Sequence, residues 1–178
     1  MKEMKSIKLY NSLIEKLNNY EAKLLQRYCA SINCKKGCSD CCTLESVFSI
    51  EAYMIYSHQL NAIISESYTS HKKGTCVFLK DKACTIYPVR PVICRTHGYP
   101  VLIDEKIDMC PKNFQDIKSI DSEYILDLEN VNNAIASINI IFLRETNEKF
   151  FMKERITLKE LRDFMLSGTD LPGRCSEF

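Results

Sequence analysis

Four cysteines lie within nine residues of the chain, in the stretch CKKGCSDCC that runs from Cys34 to Cys42. A metal ion holds neighbouring thiols as thiolates and offsets the repulsion between their charges. Cys38 and Cys41 are separated by two residues, a spacing at which one tight turn can direct both sulfur atoms to one ion. Gly37 precedes this turn and permits backbone conformations that a side chain would block. The stretch therefore predicts metal binding, with Cys34, Cys38 and Cys41 as its main ligands.

Cys42 is the weaker ligand of the stretch, because neighbouring side chains usually point apart and at most one of Cys41 and Cys42 should face a given ion. Further along the chain the central region holds four more cysteines at wide intervals: Cys76, Cys84, Cys94 and Cys110. A site built from these would tie several loops together, and structural zinc contributes on the order of 10 kcal/mol in small peptides. Eight thiols are too many for one four-coordinate site. Either two sites exist or some of these cysteines pack without binding metal.

The spacing does not by itself choose the metal. Cys34, Cys38 and Cys41 are separated by three and then two residues, an arrangement associated with the cluster loop of radical S-adenosylmethionine enzymes. Those enzymes are built on a longer alternation of strands and helices, which this chain does not show. Three clustered cysteines with one distant thiol suit a tetrahedral zinc site and a 4Fe–4S cluster equally well. The predicted cofactor is therefore zinc or iron, with a 4Fe–4S cluster as one form of the latter.

Length, charge and cysteine usage narrow the class of protein. The chain has 178 residues and a net charge of +1, from 24 basic and 23 acidic residues, so no global field attracts nucleic acid or an anionic membrane. The N-terminus lacks the apolar core of a secretory signal, and no stretch approaches the roughly 20 apolar residues of a membrane span. These features predict a cytoplasmic protein, where dense cysteines favour metal binding or redox chemistry over disulfides.

Helical elements are expected on both sides of the cysteines. Apolar residues recur at helical spacing over about residues 5 to 30, and Cys29, near the end of that segment, is expected to be a small buried residue. Ser49 and Glu51 can open a second helix over about residues 50 to 66.

Two more helices are expected near the C-terminus. One follows Asn130 as its cap, and the other follows a capping box of Thr157 and Glu160 and ends at Gly168.

Short strands are expected between the cysteines. CVFLKDKACTIY predicts two strands around a Lys-Asp-Lys turn, and VLIDEKIDMC predicts another hairpin. Pro91 suits the first turn of a short helix that carries Cys94. The predicted fold is mainly α with short β-hairpins, a small single domain of four to five helices around a cysteine-rich metal-binding centre. The predicted domain is 1–178, comprising an N-terminal helix (1–33), a metal-binding core (34–114) and a C-terminal helical cover (115–178).

The three segments CKKGCSDCC, CVFLKDKACTIYPVRPVICRTHGYP and MCPKNF resemble the bacterial cysteine-cluster proteins called YkgJ-like. Their zinc- or iron-chelating domain is named after a CxxCxxCC motif, from which this chain departs by one extra residue in the first interval. The cysteine pattern is also similar to that of flagellin lysine N-methylases. The resemblance covers about residues 34 to 114. It implies a metal centre that draws on eight cysteines: Cys34, Cys38, Cys41, Cys42, Cys76, Cys84, Cys94 and Cys110.

Three other residues near Cys94 could do more than pack. Arg90 and Arg95 flank this cysteine, and their guanidinium groups could offset thiolate charge and donate hydrogen bonds to sulfur. A solvated surface position is the alternative for each. His97 could bind metal or carry protons, with a structural or exposed histidine as the alternative.

The leading hypothesis is a metal-binding protein with a structural, metal-handling or redox role, whose partners are metal ions and, for metal handling, another protein. Two alternatives remain. One is an iron–sulfur enzyme related to protein lysine methylation or other group transfer, and the other is a zinc-ribbon-like interaction module. Neutral net charge argues against nucleic acid as a partner. Whether the protein is an enzyme stays open.

Overall fold

A computed structural model describes residues 4–34, 37–59 and 74–167 of the chain. Helices dominate these residues, and the strands between them are short. Within the described ranges there are five α-helices: α1 (Lys5–Tyr28), α2 (Ser49–Gln59), α3 (Val92–Thr96), α4 (Leu128–Glu145) and α5 (Leu158–Ser167). The predicted fold class, mainly α with short β elements, is confirmed.

The strands form three small sheets. The described strands are β1 (Ser46–Phe48), β2 (Leu79–Lys80), β3 (Ala83–Cys84), β4 (Val101–Ile103), β5 (Lys106–Asp108), β6 (Leu126–Asp127) and β7 (Arg155–Thr157). β2 with β3 and β4 with β5 are the two hairpins predicted from the sequence. β1 pairs antiparallel with β7, and β6 adds in parallel to β4. These two pairings were not predicted, because neither partner is close to the other in sequence.

Both hairpins turn through two residues with left-handed backbone. Asp81 and Lys82 have φ angles of 48° and 61°, and Asp104 and Glu105 have φ angles of 47° and 62°. Positive φ at both central positions gives the mirror-image turns whose twist matches that of the paired strands. The first of these turns brings Cys84 opposite Leu79, so the hairpin fixes the position of one predicted ligand.

The main apolar core lies between α1, α2 and α4. Tyr10 and Leu17 of α1 pack with Ile55 of α2 and with Ile135 and Phe142 of α4, all of them buried. Each large apolar side chain that is fully buried contributes about 1.5–3 kcal/mol relative to its exposed state. The predicted division into an N-terminal helix, a metal-binding core and a helical cover stays a prediction.

Of the N-terminal caps predicted for α4 and α5, one is confirmed and one is wrong. At α5 the Thr157–Glu160 capping box is confirmed, since the Thr157 N–H donates to Glu160 Oε2 at 3.0 Å and the Glu160 N–H donates to Thr157 Oγ1 at 3.1 Å. At α4 the predicted cap Asn130 is wrong. Asp127 caps this helix by accepting the Asn130 N–H at 2.9 Å, so α4 begins earlier than predicted.

Some predicted features fall at the limits of what the structure describes. α1 matches the helix predicted over about residues 5 to 30, and α2 begins at Ser49 as predicted. Residues 60–66 of the second predicted helix, and Gly168 at the end of α5, lie outside the described residues. Among the helices that are described, none has the length and apolar character needed to cross a membrane.

Candidate metal centre

All eight predicted ligands are described, and we assign them to two groups that we name by their surroundings. The loop quartet is Cys34, Cys38, Cys41 and Cys110, and the core quartet is Cys42, Cys76, Cys84 and Cys94. Burial raises the pKa of the Cys34 thiol, and the other three thiols of the loop quartet raise it further. Burial likewise raises the pKa of the Cys94 thiol to about 12, with added contributions from the other three thiols of the core quartet. Thiols within each quartet are therefore close enough for their charges to interact.

The backbone around the first hairpin assembles most of the core quartet. The Cys76 N–H donates to Cys42 O at 2.7 Å, which joins the end of the cysteine-rich stretch to the start of the hairpin segment. The Leu79 N–H donates to Cys76 O at 3.0 Å, and Leu79 is the residue paired with Cys84. Cys76 and Cys84 also pack against the main apolar core. The core quartet is thus held by both hydrogen bonds and apolar contacts.

Cys94 is positioned by α3, whose first turn is held by a buried carboxylate. Glu51 is only 5% exposed, and its carboxylate accepts the Val92 N–H at 2.8 Å and the Phe48 N–H at 3.1 Å. One side chain therefore links the start of α2 to the start of α3. Burial raises the pKa of Glu51, while the two N–H donors oppose that shift. The sequence had indicated Glu51 only as a residue that opens α2, because its second partner is distant along the chain.

The two arginines beside Cys94 bind oxygen atoms. Arg90 Nη2 donates to Glu21 Oε1 at 2.9 Å, and Tyr99 donates to the same oxygen at 2.7 Å. Arg95 donates to Asn18 Oδ1 at 2.9 Å and to backbone carbonyls. These bonds attach the α3 region to α1 and go to oxygen, whereas the sequence suggested bonds to sulfur.

The predicted charge effect of Arg90 has support at one cysteine. Burial raises the pKa of Cys84, and the Arg90 charge opposes that shift. A cation beside a thiol favours its thiolate form, which is the form that binds metal.

Asn113 connects the two separate parts of the loop quartet. Its side chain is buried, and Oδ1 accepts the N–H groups of Asn33 at 2.9 Å and Cys34 at 3.1 Å. Nδ2 donates to Gly98 O at 2.8 Å, and the Asn113 backbone N–H donates to Cys110 O at 2.9 Å. One amide therefore holds the segment of Cys34 beside that of Cys110. Sequence reasoning missed this role, although Asn113 is part of the quoted segment MCPKNF.

An ion pair provides a second link across the loop quartet. Lys112 pairs with Asp40, which lies between Cys38 and Cys41. The charges of Cys38 and Cys110 also contribute to raising the pKa of Lys112, after the larger contributions of Asp40. The lysine thus places a positive charge near this quartet.

The two quartets meet at the neighbouring residues Cys41 and Cys42, and after burial the charge of Cys42 is the largest cause that raises the pKa of Cys41. Across residues 4–34, 37–59 and 74–167, no three His, Cys, Asp or Glu side chains are arranged so that they could hold a metal ion without rearrangement. The donor set itself fits zinc or iron, since each quartet supplies four sulfur atoms.

Cys29 and His97 belong to neither quartet, and both are exposed. Cys29, predicted to be buried, is exposed, because it begins a short 3₁₀ turn at the end of α1. Cys175 lies outside the described residues. His97 is exposed at the end of α3, as in the alternative that the sequence left open.

Comparison with known proteins finds a family model that matches this region. Residues 33–118 match the family model CxxCxxCC, described as "Putative zinc- or iron-chelating domain". The matched residues include both quartets and Asn113, which joins the segments of Cys34 and Cys110. Neither the curated proteins nor the solved structures provide a match to the chain. Residues 33–118, just under half of the chain, are therefore similar to the cysteine-cluster family of zinc- or iron-chelating domains.

Proposed function

We propose that this protein binds zinc or iron through the thiolates of the loop quartet and the core quartet. The observation that carries the proposal is the match of residues 33–118 to a zinc- or iron-chelating domain, a region that holds all eight of these cysteines. Four thiolates are the ligand set of a tetrahedral zinc site and of a 4Fe–4S cluster. The quartets match these centres in both the type and the number of their ligands.

Metal binding would change the protonation and the rotamers of these cysteines. Burial raises the pKa of the Cys42, Cys76 and Cys84 thiols, so an incoming cation must displace protons from them. Each sulfur can move among the staggered rotamers of χ1 without a change in backbone topology. Bound metal would then join loops that lie far apart in sequence. This supports a structural role, a metal-handling role or a redox role.

Elemental analysis of anaerobically purified protein tests the proposal. We expect zinc or iron in stoichiometric amounts, and a Cys29→Ser variant should retain all of it because Cys29 belongs to neither quartet. A folded wild-type chain that contains no metal and takes up neither added zinc nor added iron would contradict the proposal.

An iron–sulfur centre is the second candidate, favoured by the loop quartet. Three of its cysteines come from one short stretch, and the side chains of Cys34 and Cys41 are exposed. Absorption in the sulfur-to-iron charge-transfer region would support this form of the centre, whereas colourless anaerobic protein would exclude it. The relation to flagellin lysine N-methylases and the cytoplasmic location stay predictions of the sequence.

A further inference from the structure

The two quartets differ in how the chain supports them, and the inference drawn from this difference rests on the proposed metal binding. In the core quartet, Cys76 and Cys84 pack against the main apolar core. The Cys94 side chain is exposed, but its backbone lies two residues after Val92, which is only 2% exposed and whose N–H is held by Glu51. Displacing Cys76 or Cys84 would disturb apolar packing, which costs free energy in proportion to the apolar area exposed.

The loop quartet has a different kind of support. Cys34 and Cys41 are exposed, and the segments of Cys34 and Cys110 are joined through the Asn113 amide. The Asn113 side chain makes three hydrogen bonds, and Ile32 and Met109 pack against a second apolar cluster beside this quartet. The four loop cysteines themselves are part of neither apolar cluster. The loop cysteines can therefore move with less loss of apolar contact than Cys76 and Cys84.

The ion pairs near the two quartets also differ in their exposure to solvent. The side chains of Arg90 and Glu21, near the core quartet, are 12% and 21% exposed. Those of Lys112 and Asp40, near the loop quartet, are 55% and 75% exposed. Solvent screens exposed ion pairs, and such pairs typically contribute at most about 1 kcal/mol. The ion pair with Asp40 therefore contributes little to fixing the positive charge of Lys112 beside the loop quartet.

We propose that the chain forms two metal centres with different tasks. The core quartet holds a resident ion that is part of the fold, and the loop quartet is an exchange site that passes its ion to an external thiolate ligand. An incoming thiolate can reach an ion at the loop quartet without disturbing the apolar core. Transfer involves no change in oxidation state. Each loop thiolate that leaves the ion takes up a proton, and an incoming thiol that has lost its proton replaces it.

Zinc-loaded full-length protein, mixed with an excess of a coloured zinc chelator, tests this division. We expect a fast phase and a slow phase of equal amplitude, which report the two centres. Iodoacetamide added at the end of the fast phase should alkylate Cys34, Cys38, Cys41 and Cys110, while peptide mapping finds the core quartet still protected. Release in a single phase, or alkylation of both quartets together, would overturn the division. The latter result would indicate one shared centre bridged at Cys41 and Cys42.

Paired substitutions assign the phases. Cys34→Ser with Cys110→Ser should remove half of the bound zinc and the whole fast phase, with little change in the thermal unfolding temperature. Cys76→Ser with Cys84→Ser should remove the slow phase and broaden or abolish the unfolding transition. Cys29→Ser is the matched control and should leave both phases intact.

The outcomes separate this inference from the proposed function. Wild-type protein that binds no zinc or iron contradicts the proposed function itself. Wild-type protein that binds zinc, but loses its whole zinc content when Cys34 and Cys110 are replaced, contradicts only the division into two centres. If the variant of Cys76 and Cys84 does not fold, the loop variant and the alkylation map still decide the question.

Discussion

The loop quartet and the core quartet offer the same ligand atoms on two kinds of support. The core quartet is carried by a β-hairpin and the short helix α3, and two of its members touch the apolar core. The loop quartet is carried by irregular segments that one asparagine amide holds together. Apolar contacts of the cysteine side chains themselves fix Cys76 and Cys84, and the loop cysteines lack such contacts. The comparison teaches that the surroundings of a thiol, rather than the thiol itself, set how firmly a site can hold its ion.

Of the changes considered, removal of the metal should have the largest effect on stability. Structural zinc contributes on the order of 10 kcal/mol in small peptides, which is as large as the whole free energy of unfolding of an ordinary domain. We expect chelation of all metal to increase amide hydrogen exchange at Cys76 and Leu79, whose N–H groups hold the core quartet together. Amides in the middle of α4, such as that of Ile138, provide the internal control. Unchanged hydrogen exchange at the amides of Cys76 and Leu79 would contradict a structural role for the metal.

A matched pair of single substitutions compares the quartets directly. Cys84→Ser should lower the free energy of unfolding of metal-loaded protein by several kcal/mol, because the weakened ion and the apolar contacts of Cys84 both support the fold. Cys34→Ser should lower it by much less, since the Cys34 side chain is exposed. Urea unfolding followed by circular dichroism measures both. Equal losses for the two variants would show that the quartets contribute alike to stability.

The next effect concerns the two side chains that support the quartets. The two carboxylate oxygens of Glu51 each accept one N–H group. Glu51→Gln replaces one of these oxygens with an NH₂ group that cannot accept, and the N–H group left unpaired should lower the free energy of unfolding by about 1–3 kcal/mol. Asn113→Ala should cost less, about 1 kcal/mol, because the N–H groups that it leaves unpaired belong to the exposed residues Asn33 and Cys34.

Zinc affinity separates these two variants from general loss of stability. Residues that orient metal ligands typically change affinity by about 10–100-fold when replaced. We expect Glu51→Gln to weaken the slowly released zinc and Asn113→Ala to weaken the rapidly released zinc, as measured by competition with a chelator. If each variant weakens the binding of the rapidly and the slowly released zinc equally, Glu51 and Asn113 do not act on separate quartets.

The smallest effect is expected at α5, which carries no cysteine. The Thr157 N–H, Lys153 and the Thr157 hydroxyl lower the pKa of Glu160 to about 2. A carboxyl group with a lowered folded pKa stabilises the protein above its ordinary pKa, and this contribution is lost as the pH falls through the folded pKa. Because the side chain is largely exposed, the contribution is below about 1 kcal/mol.

Glu160→Gln tests this pH dependence away from the metal. The variant should be slightly less stable than the wild type near neutral pH, and the difference should shrink as the pH falls from the ordinary carboxyl range towards 2. Urea unfolding of both proteins at each pH measures the difference. A difference that does not change with pH would assign the role of Glu160 to hydrogen bonding alone. Zinc release should not change in this variant.

Local features of this protein followed from its sequence. The Thr157–Glu160 capping box joins residues three positions apart, and the hairpin turn at Asp81 and Lys82 joins strands that are adjacent along the chain. Interactions of such short range depend on backbone geometry that the sequence pattern encodes directly. The cap of α4 was misplaced from Asp127 to Asn130, because both residues are capping types and lie within one turn of each other.

The pairings between distant segments did not follow from the sequence. The parallel contact of β6 with β4, the link from Glu51 to Val92 and the bond from Asn113 to Cys34 all join residues more than 20 positions apart. Nothing in the residue types at one end specifies the partner at the other, since many N–H donors could satisfy the same carboxylate or amide. Packing of the helices selects one donor from among them.

The sequence by itself determined that eight cysteines would be available for metal, because thiol type, density and spacing can be counted along the chain. Only the tertiary structure decided which thiols lie together, placing Cys110 near Cys34, and Cys76 and Cys84 near Cys42. The physical reason is that ligand chemistry belongs to each residue, whereas ligand grouping depends on how distant segments pack.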